Sequence, residues 1–280
     1  MKLQTPVADL PCKVGISYKD KIMMLGSCFS DNIGSRLKNY GFDVCVNPFG
    51  TLYNPASILS SVRRMLSGEG FAEADCVEIG AGDNRTCSFF HHTSFARSSH
   101  EEFITNANER LAEAAAFFRD CNKVIITLGT SWCYRHIGKD MIVSNCLKRN
   151  PKEFIREFLH ATRTASMLRE IMELCLDKQF IFTVSPIRHF KDGAHGNQLS
   201  KASLLLGIEE AAGGDYFPAY EIVMDELRDY RFYAEDMCHP TQQTADYICE
   251  RFLDWALPAD EQDTLKENIR AFRHGCHIVK

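Results

Sequence analysis

The sequence predicts an α/β protein with a central parallel sheet of about five strands, covered by helices on both faces. Three observations predict it. Short apolar runs recur along the 280-residue chain at 22–25, 42–46, 124–128 and 180–184, with a shorter one at 231–234. Helix-patterned segments separate them, and strands that alternate with helices argue for parallel pairing through crossover helices. No repeat, low-complexity tract or linker interrupts the alternation, so one domain over 1–280 is the simplest account.

The first strand, Ile22-Met23-Met24-Leu25, runs into Gly26-Ser27-Cys28-Phe29-Ser30. Its length and the glycine stop read as a buried strand. Ser30 as N-cap and Asp31 at the positive end of the dipole start a helix over 31–40, which Gly41 ends. A second strand over 42–47 stops at Pro48-Phe49-Gly50, and Asn54-Pro55 caps a helix over 55–67. Residues 68–98 are irregular, with a hairpin-like pair around 80–84. Ser98 or Ser99 with Glu101 or Glu102 makes a capping box for a helix to about 119.

The third strand, 124–129, ends in Thr130-Ser131-Trp132. Asn150-Pro151 is expected to cap a long helix to about 177. Pro186 stops the fourth strand, 180–185. Helices at 199–212 and 219–229 precede the fifth strand at 231–234. Helices over 241–255 and 260–273 close the chain, the second within a helical extension at about 256–280.

Composition narrows the class of function. Hydrophobic content of 45% with 25% charged residues is ordinary for a soluble globular protein. A net charge of −5 gives no basic footprint for nucleic acid. No run approaches the ~18 apolar residues of a membrane span. The stretch 1–9 lacks the apolar core of a signal peptide, so a cytoplasmic location is expected. The 12 cysteines are scattered, with no Cys-x-x-Cys pair, which reads as reduced thiols rather than disulfides or structural zinc.

In open parallel sheets ligands bind beyond the carboxyl ends of the strands. Those ends carry Ser27 and Cys28, Asn47 and Gly50, Thr130 and Ser131, Ser185 with Arg188 and His189, and Asp236 with His239. The set is a nucleophile pair, small polar turns with backbone donors, and an acid–base pair. In Asp236-Met237-Cys238-His239 a spacing of three lets the carboxylate orient the imidazole. The same residues also suit a buried turn and a helix-capping aspartate.

These blocks resemble the SGNH hydrolases, esterases and acyl hydrolases on a flavodoxin-like three-layer fold. The closer resemblance is to the GSCFA-domain family. It rests on Gly26-Ser27-Cys28-Phe29, Asn47-Pro48-Phe49-Gly50, Leu128-Gly129-Thr130-Ser131-Trp132, Ser185-Pro186-Ile187-Arg188-His189 and Asp236-x-x-His239, in that order. The resemblance implies that His239 is the general base, Asp236 its orienting carboxylate, and the Gly50 N–H an oxyanion donor. Ser131 stands where the wider family has its oxyanion-hole asparagine, and Trp132 replaces an aspartate. Ungapped alignment of the nucleophile block puts Cys28 at the nucleophile position. Ser27 needs only a one-residue shift of the turn, and it competes with Cys28. A thiol at a helix N-terminus near His239 is expected to be substantially thiolate.

The function expected is that of an acyl-ester hydrolase acting on a small or carbohydrate-like ester through a Cys (or Ser)-His-Asp triad. An acyltransferase and a non-catalytic ligand-binding protein are the alternatives. The chemistry needs no metal or organic cofactor. Thr130, Asn47, Arg188 and His189 complete the expected substrate-binding set, Arg188 because a guanidinium fork suits carboxylate or phosphate. His91 and His92 show no ligand spacing. Phe117, Phe118 and the stretch 217–221 read as packing, with Tyr220 or Glu221 as more distant substrate contacts.

Overall fold

The computed structural model describes residues 5–8 and 11–278. Residues 1–4 and 9, on which the expected lack of a signal peptide partly rests, and the last two of the C-terminal extension lie outside that range.

Five parallel strands form the central sheet: β1 (Lys21–Gly26), β2 (Asp43–Val46), β3 (Lys123–Leu128), β4 (Gln179–Val184) and β5 (Asp215–Phe217). Their spatial order is β5-β4-β3-β1-β2, every neighbouring pair parallel. This is the flavodoxin-like order, in which the chain reverses its direction of travel between β1 and β3.

Alternation along the strands divides the core into two layers. Met23, Leu25, Val124 and Ile126 face one side, where α2 (Pro55–Ser67), α3 (His100–Asp120), α4 (Ala161–Leu174) and α5 (Gly193–Ala211) pack. Ile22, Met24, Ile125 and Ile181 face the other, under α1 (Cys28–Asn39) and α6 (Gln242–Ala256). A last helix, α7 (Gln262–Ile278), follows α6. The apolar run of β1 is thus a strand buried on both faces, as the expected parallel sheet requires.

Several boundaries differ from the sequence expectation. The long helix expected from 150 is a 3₁₀ turn, Pro151–Glu153, then a strand, Phe154–Phe158, with α4 starting only at Ala161. That strand pairs antiparallel with Trp132–His136, which also pairs with Met141–Val143, making a small three-stranded sheet. Asn150 caps the short turn through Lys152 N–H at 3.0 Å, so the capping signal was real but stopped one turn later. The fifth strand is Asp215–Phe217, whereas Tyr230–Phe232 is a 3₁₀ turn and Tyr233 makes only an isolated bridge to Pro240. Within the helix expected at 219–229, Ile222–Leu227 is π-helical. The excursion at 68–98 carries the two-residue hairpin Val77–Glu78 with Thr86–Cys87. Among the described residues no helix is long and apolar enough to cross a membrane.

Candidate active site

The β1–α1 turn decides which nucleophile candidate faces solvent. Gly26 has φ +146°, and a Cβ there would lie 2.2 Å from the Thr127 carbonyl oxygen. Only glycine allows β1 and β3 to close up at that point. Ser27, and not Ser30, is the N-cap of α1. Its hydroxyl accepts the Phe29 N–H at 3.3 Å, and the residue is 1% exposed. Cys28 is the first helical residue, half-buried, and lines a cleft of ≈650 Å³ together with His189, Cys238 and His239. Of the two adjacent candidates, Ser27 holds the helix end and Cys28 meets the cleft.

The thiol is not the thiolate expected. Burial pushes Cys28 up to about 11, with Asp31 acting in the same direction. The backbone N–H groups of Cys28 and Phe29 pull it down but do not win. Desolvation disfavours a charge more strongly than one helix end favours it here.

His239 and Asp236 meet as their spacing predicts. Asp236 Oδ2 accepts from His239 Nδ1 at 2.6 Å, and Oδ1 accepts the backbone N–H of His239 and of Cys238, both at 2.9 Å. Those bonds, the imidazole's first, hold the Asp236 carboxyl down at about 2. Thr241 then caps α6 through the Thr244 N–H at 3.1 Å, which anchors the turn.

Other expected residues are placed as follows. Asn47 is buried, with φ +43°, and brackets the turn: Oδ1 accepts the Gly26 N–H at 2.8 Å and Nδ2 donates to Asp31 at 2.7 Å. The Gly50 N–H donates to the Asn47 carbonyl at 2.8 Å, so the donor assigned to an oxyanion is engaged within its own turn. Ser131 is fully buried and its hydroxyl donates to the Ser200 carbonyl at 2.8 Å. Thr130 lines the cleft, with its hydroxyl 3.0 Å from that of Ser200. Arg188 and His189 both line the cleft. Burial, then the charge of Lys201, pushes His189 down to about 4, so its ring is neutral. Tyr220 and Glu221 are occupied by Gln198 and Tyr216, at 2.6 Å and 2.7 Å.

Three groups of residues were not expected at the site. Tyr53 and Asn54 line the cleft from the loop before α2, where Asn54 Oδ1 takes the Ser57 N–H at 2.9 Å as N-cap. The small antiparallel sheet forms a second wall through Trp132 and Arg156, the guanidinium lying 4.0 Å from the indole ring and paired with Asp192. The third is Lys201, in the middle of α5 and 1% exposed. Its Nζ donates to the carbonyls of Gly129 and Ser185, each at 2.7 Å, tying together the carboxyl ends of β3 and β4. Burial pushes this amine down to about 7.

Among the described residues two trios bring possible metal donors within 4.8 Å: Asp236, Cys238 and His239, and Glu73, Cys76 and His100. In the first, the carboxylate is engaged as above and the Cys238 thiol donates to the Arg188 carbonyl at 2.7 Å. In the second, Glu73 bonds the His100 ring. All 11 described cysteines are free thiols.

No curated protein matches the chain. Among solved structures it is similar to an acetyl xylan esterase, Est2A, from the rumen bacterium Butyrivibrio proteoclasticus, at 10% identity and a TM-score of 0.41. That match covers 85% of this chain and 63% of the esterase chain, so the chain spans less than two thirds of that structure. The family model for the GSCFA family matches residues 21–252, from the first residue of β1 into α6. The chain belongs to the GSCFA family.

Proposed function

We propose that the protein hydrolyses acyl esters with Cys28 as nucleophile, His239 as general base and Asp236 as the group that orients the base. The observation that carries this reading is the shared cleft. Cys28 stands at the helix end beyond β1, and His239, held at Nδ1 by Asp236 at 2.6 Å, lines the same space. That hydrogen bond leaves Nε2 to take a proton.

The raised thiol pKa shapes the mechanism. Cys28 rests as a neutral thiol, so His239 Nε2 takes its proton as sulfur attacks the ester carbonyl. The tetrahedral oxyanion lies at the end of α1, where the Cys28 N–H is one of the donors an α-helix leaves unpaired. Asn54 Nδ2 supplies a second donor, since only its oxygen serves the helix cap. These replace Gly50 and Ser131 in the proposal, because both of those donors are engaged elsewhere. The leaving alkoxide takes the proton from His239 and departs, leaving a thioester. Water, deprotonated by His239, attacks the thioester, and sulfur leaves with the proton returned to it.

Turnover of a short-chain aryl ester tests the reading. Cys28→Ala and His239→Ala are each expected to abolish His-dependent hydrolysis. Full activity in either variant rules the proposed triad out.

A further inference from the structure

A second pocket of ≈440 Å³ lies beside the catalytic cleft and shares with it the wall Arg188, His189 and Phe190. Arg188 lines it, with the guanidinium near the rings of Phe190, Tyr230 and Tyr233 at 4.8, 5.5 and 5.4 Å. Among the described residues no carboxylate pairs with it; Nη1 donates only to the Met237 carbonyl, at 3.1 Å. Phe190 and Tyr230 are 51% and 67% exposed, so an aromatic surface is open beside an uncompensated cation.

The hydrogen-bonding capacity left in this pocket is dominated by donors. The Asn197 oxygen accepts the His189 N–H at 3.0 Å, and the Gln198 oxygen accepts from Tyr220 at 2.6 Å. Both side chains line the pocket with their amide nitrogens uncommitted among the described residues. The carboxylate of Asp229, also on the rim, is taken by the Arg231 N–H at 2.8 Å and its guanidinium. Backbone irregularity gathers at the same place. Val223 and Met224 reach the pocket from the π-helical turn, and Arg228 follows at φ +43°. Such distortions concentrate where a ligand is bound.

We propose that this pocket is a substrate subsite for an oxyanion, a carboxylate or phosphate, carried on a ring that lies against Phe190 and Tyr230. It rests on the ester-hydrolase reading and names the substrate class: esters with an acidic ring on the side away from the reacting carbonyl. The link to catalysis is short. The Arg188 N–H donates to the Cys238 carbonyl at 3.1 Å, and its own carbonyl accepts the Cys238 thiol, so Arg188 is fixed to the turn that carries His239.

The test uses benzoate and phenyl phosphate as probes, with benzyl alcohol as the neutral control, in ligand-observed NMR with the full chain. The anions are expected to bind saturably and at least tenfold more tightly than the alcohol; the better of the two identifies the natural group. Arg188→Met and Gln198→Glu, the second on an exposed residue and nearly isosteric, are each expected to weaken anion binding at least tenfold, with Tm unchanged in Gln198→Glu. Equal binding of anion and alcohol, or anion binding indifferent to both substitutions, overturns the subsite. A kinetic arm compares 4-acetoxybenzoate with its methyl ester. Wild type should favour the acid in kcat/KM by at least tenfold, and Gln198→Glu should erase the preference. If neither ester is hydrolysed, the catalytic reading fails and the binding arm alone decides the subsite.

Discussion

Asp236 grips His239 twice, at the ring Nδ1 at 2.6 Å and at the backbone N–H at 2.9 Å. The grip fixes the tautomer, because a proton on Nδ1 leaves Nε2 free to accept. Asp236→Asn removes the charge and lets the ring adopt the wrong tautomer. We expect kcat on an aryl ester to fall by about 10²–10⁴-fold with KM little changed. The carboxyl is depressed to about 2, so its contribution is present at neutral pH and disappears only as pH falls through that value. The acid limb of the wild-type profile therefore does not report Asp236.

The buried thiol predicts a specific rescue. Cys28 is held up to about 11, so in the proposed mechanism it loses its proton to His239 near neutral pH. As pH rises toward that value the thiolate forms unaided. His239→Ala should be inactive at about pH 7 and recover the acylation step progressively above about pH 9. The release of p-nitrophenol in the first turnover reads this directly. A His239→Ala burst as fast at pH 7 as at pH 10 would mean that the thiol is already ionised.

Lys201 predicts a pH-dependent stability. Its amine sits at about 7 in the fold against an ordinary 10.5. Between those values the unfolded chain binds the additional proton, so stability rises with pH, by up to ~1.4 kcal/mol per unit. The buried thiols, held above their ordinary 9.0, pull the other way as the unfolded chain loses its thiol protons, so the Lys201 contribution is read as the difference between wild type and a Lys201 variant that keeps every thiol. Lys201→Met removes that rise, so the stability of wild type relative to the variant should climb from pH 7 to 9. It also strips the Gly129 and Ser185 carbonyls of their donor, a loss of about 2–4 kcal/mol in total at the upper end of the window. Urea unfolding of both proteins across pH 7–9 measures both effects.

The sequence showed most clearly what depends on local pattern. Four of the five sheet strands announce themselves as apolar runs, and the turn Asp236–His239 is closed by residues three apart. β5 is only three residues long and begins just after Gly213 and Gly214, which read as a helix end, so the aromatic run at 231–234 carries the stronger strand signal. The small antiparallel sheet was hidden by Asn150-Pro151, a capping signal that is obeyed for a single turn. Lys201 could not be found because a lysine in mid-helix carries no mark of burial; its two carbonyl partners come from other elements. The Cys28 thiol differs from its expected thiolate for the same reason. Helix position is legible in the sequence, but the desolvation that outweighs it comes from tertiary packing.

Ser27 and Cys28 provide the decisive comparison, since they are adjacent and only Cys28 lines the cleft while Ser27 caps α1. Ser27→Ala removes the N-cap of α1 and should lower stability by about 0.5–2 kcal/mol while keeping hydrolysis. Cys28→Ala should leave Tm nearly unchanged and abolish the acyl-enzyme. Intact mass spectrometry after brief exposure to an aryl acetate is the most direct measurement. The account predicts one acetyl group on wild type and on Ser27→Ala, mapped to the Cys28 peptide, and none on Cys28→Ala. Acetylation of Cys28→Ala at Ser27, at the wild-type rate, would contradict it.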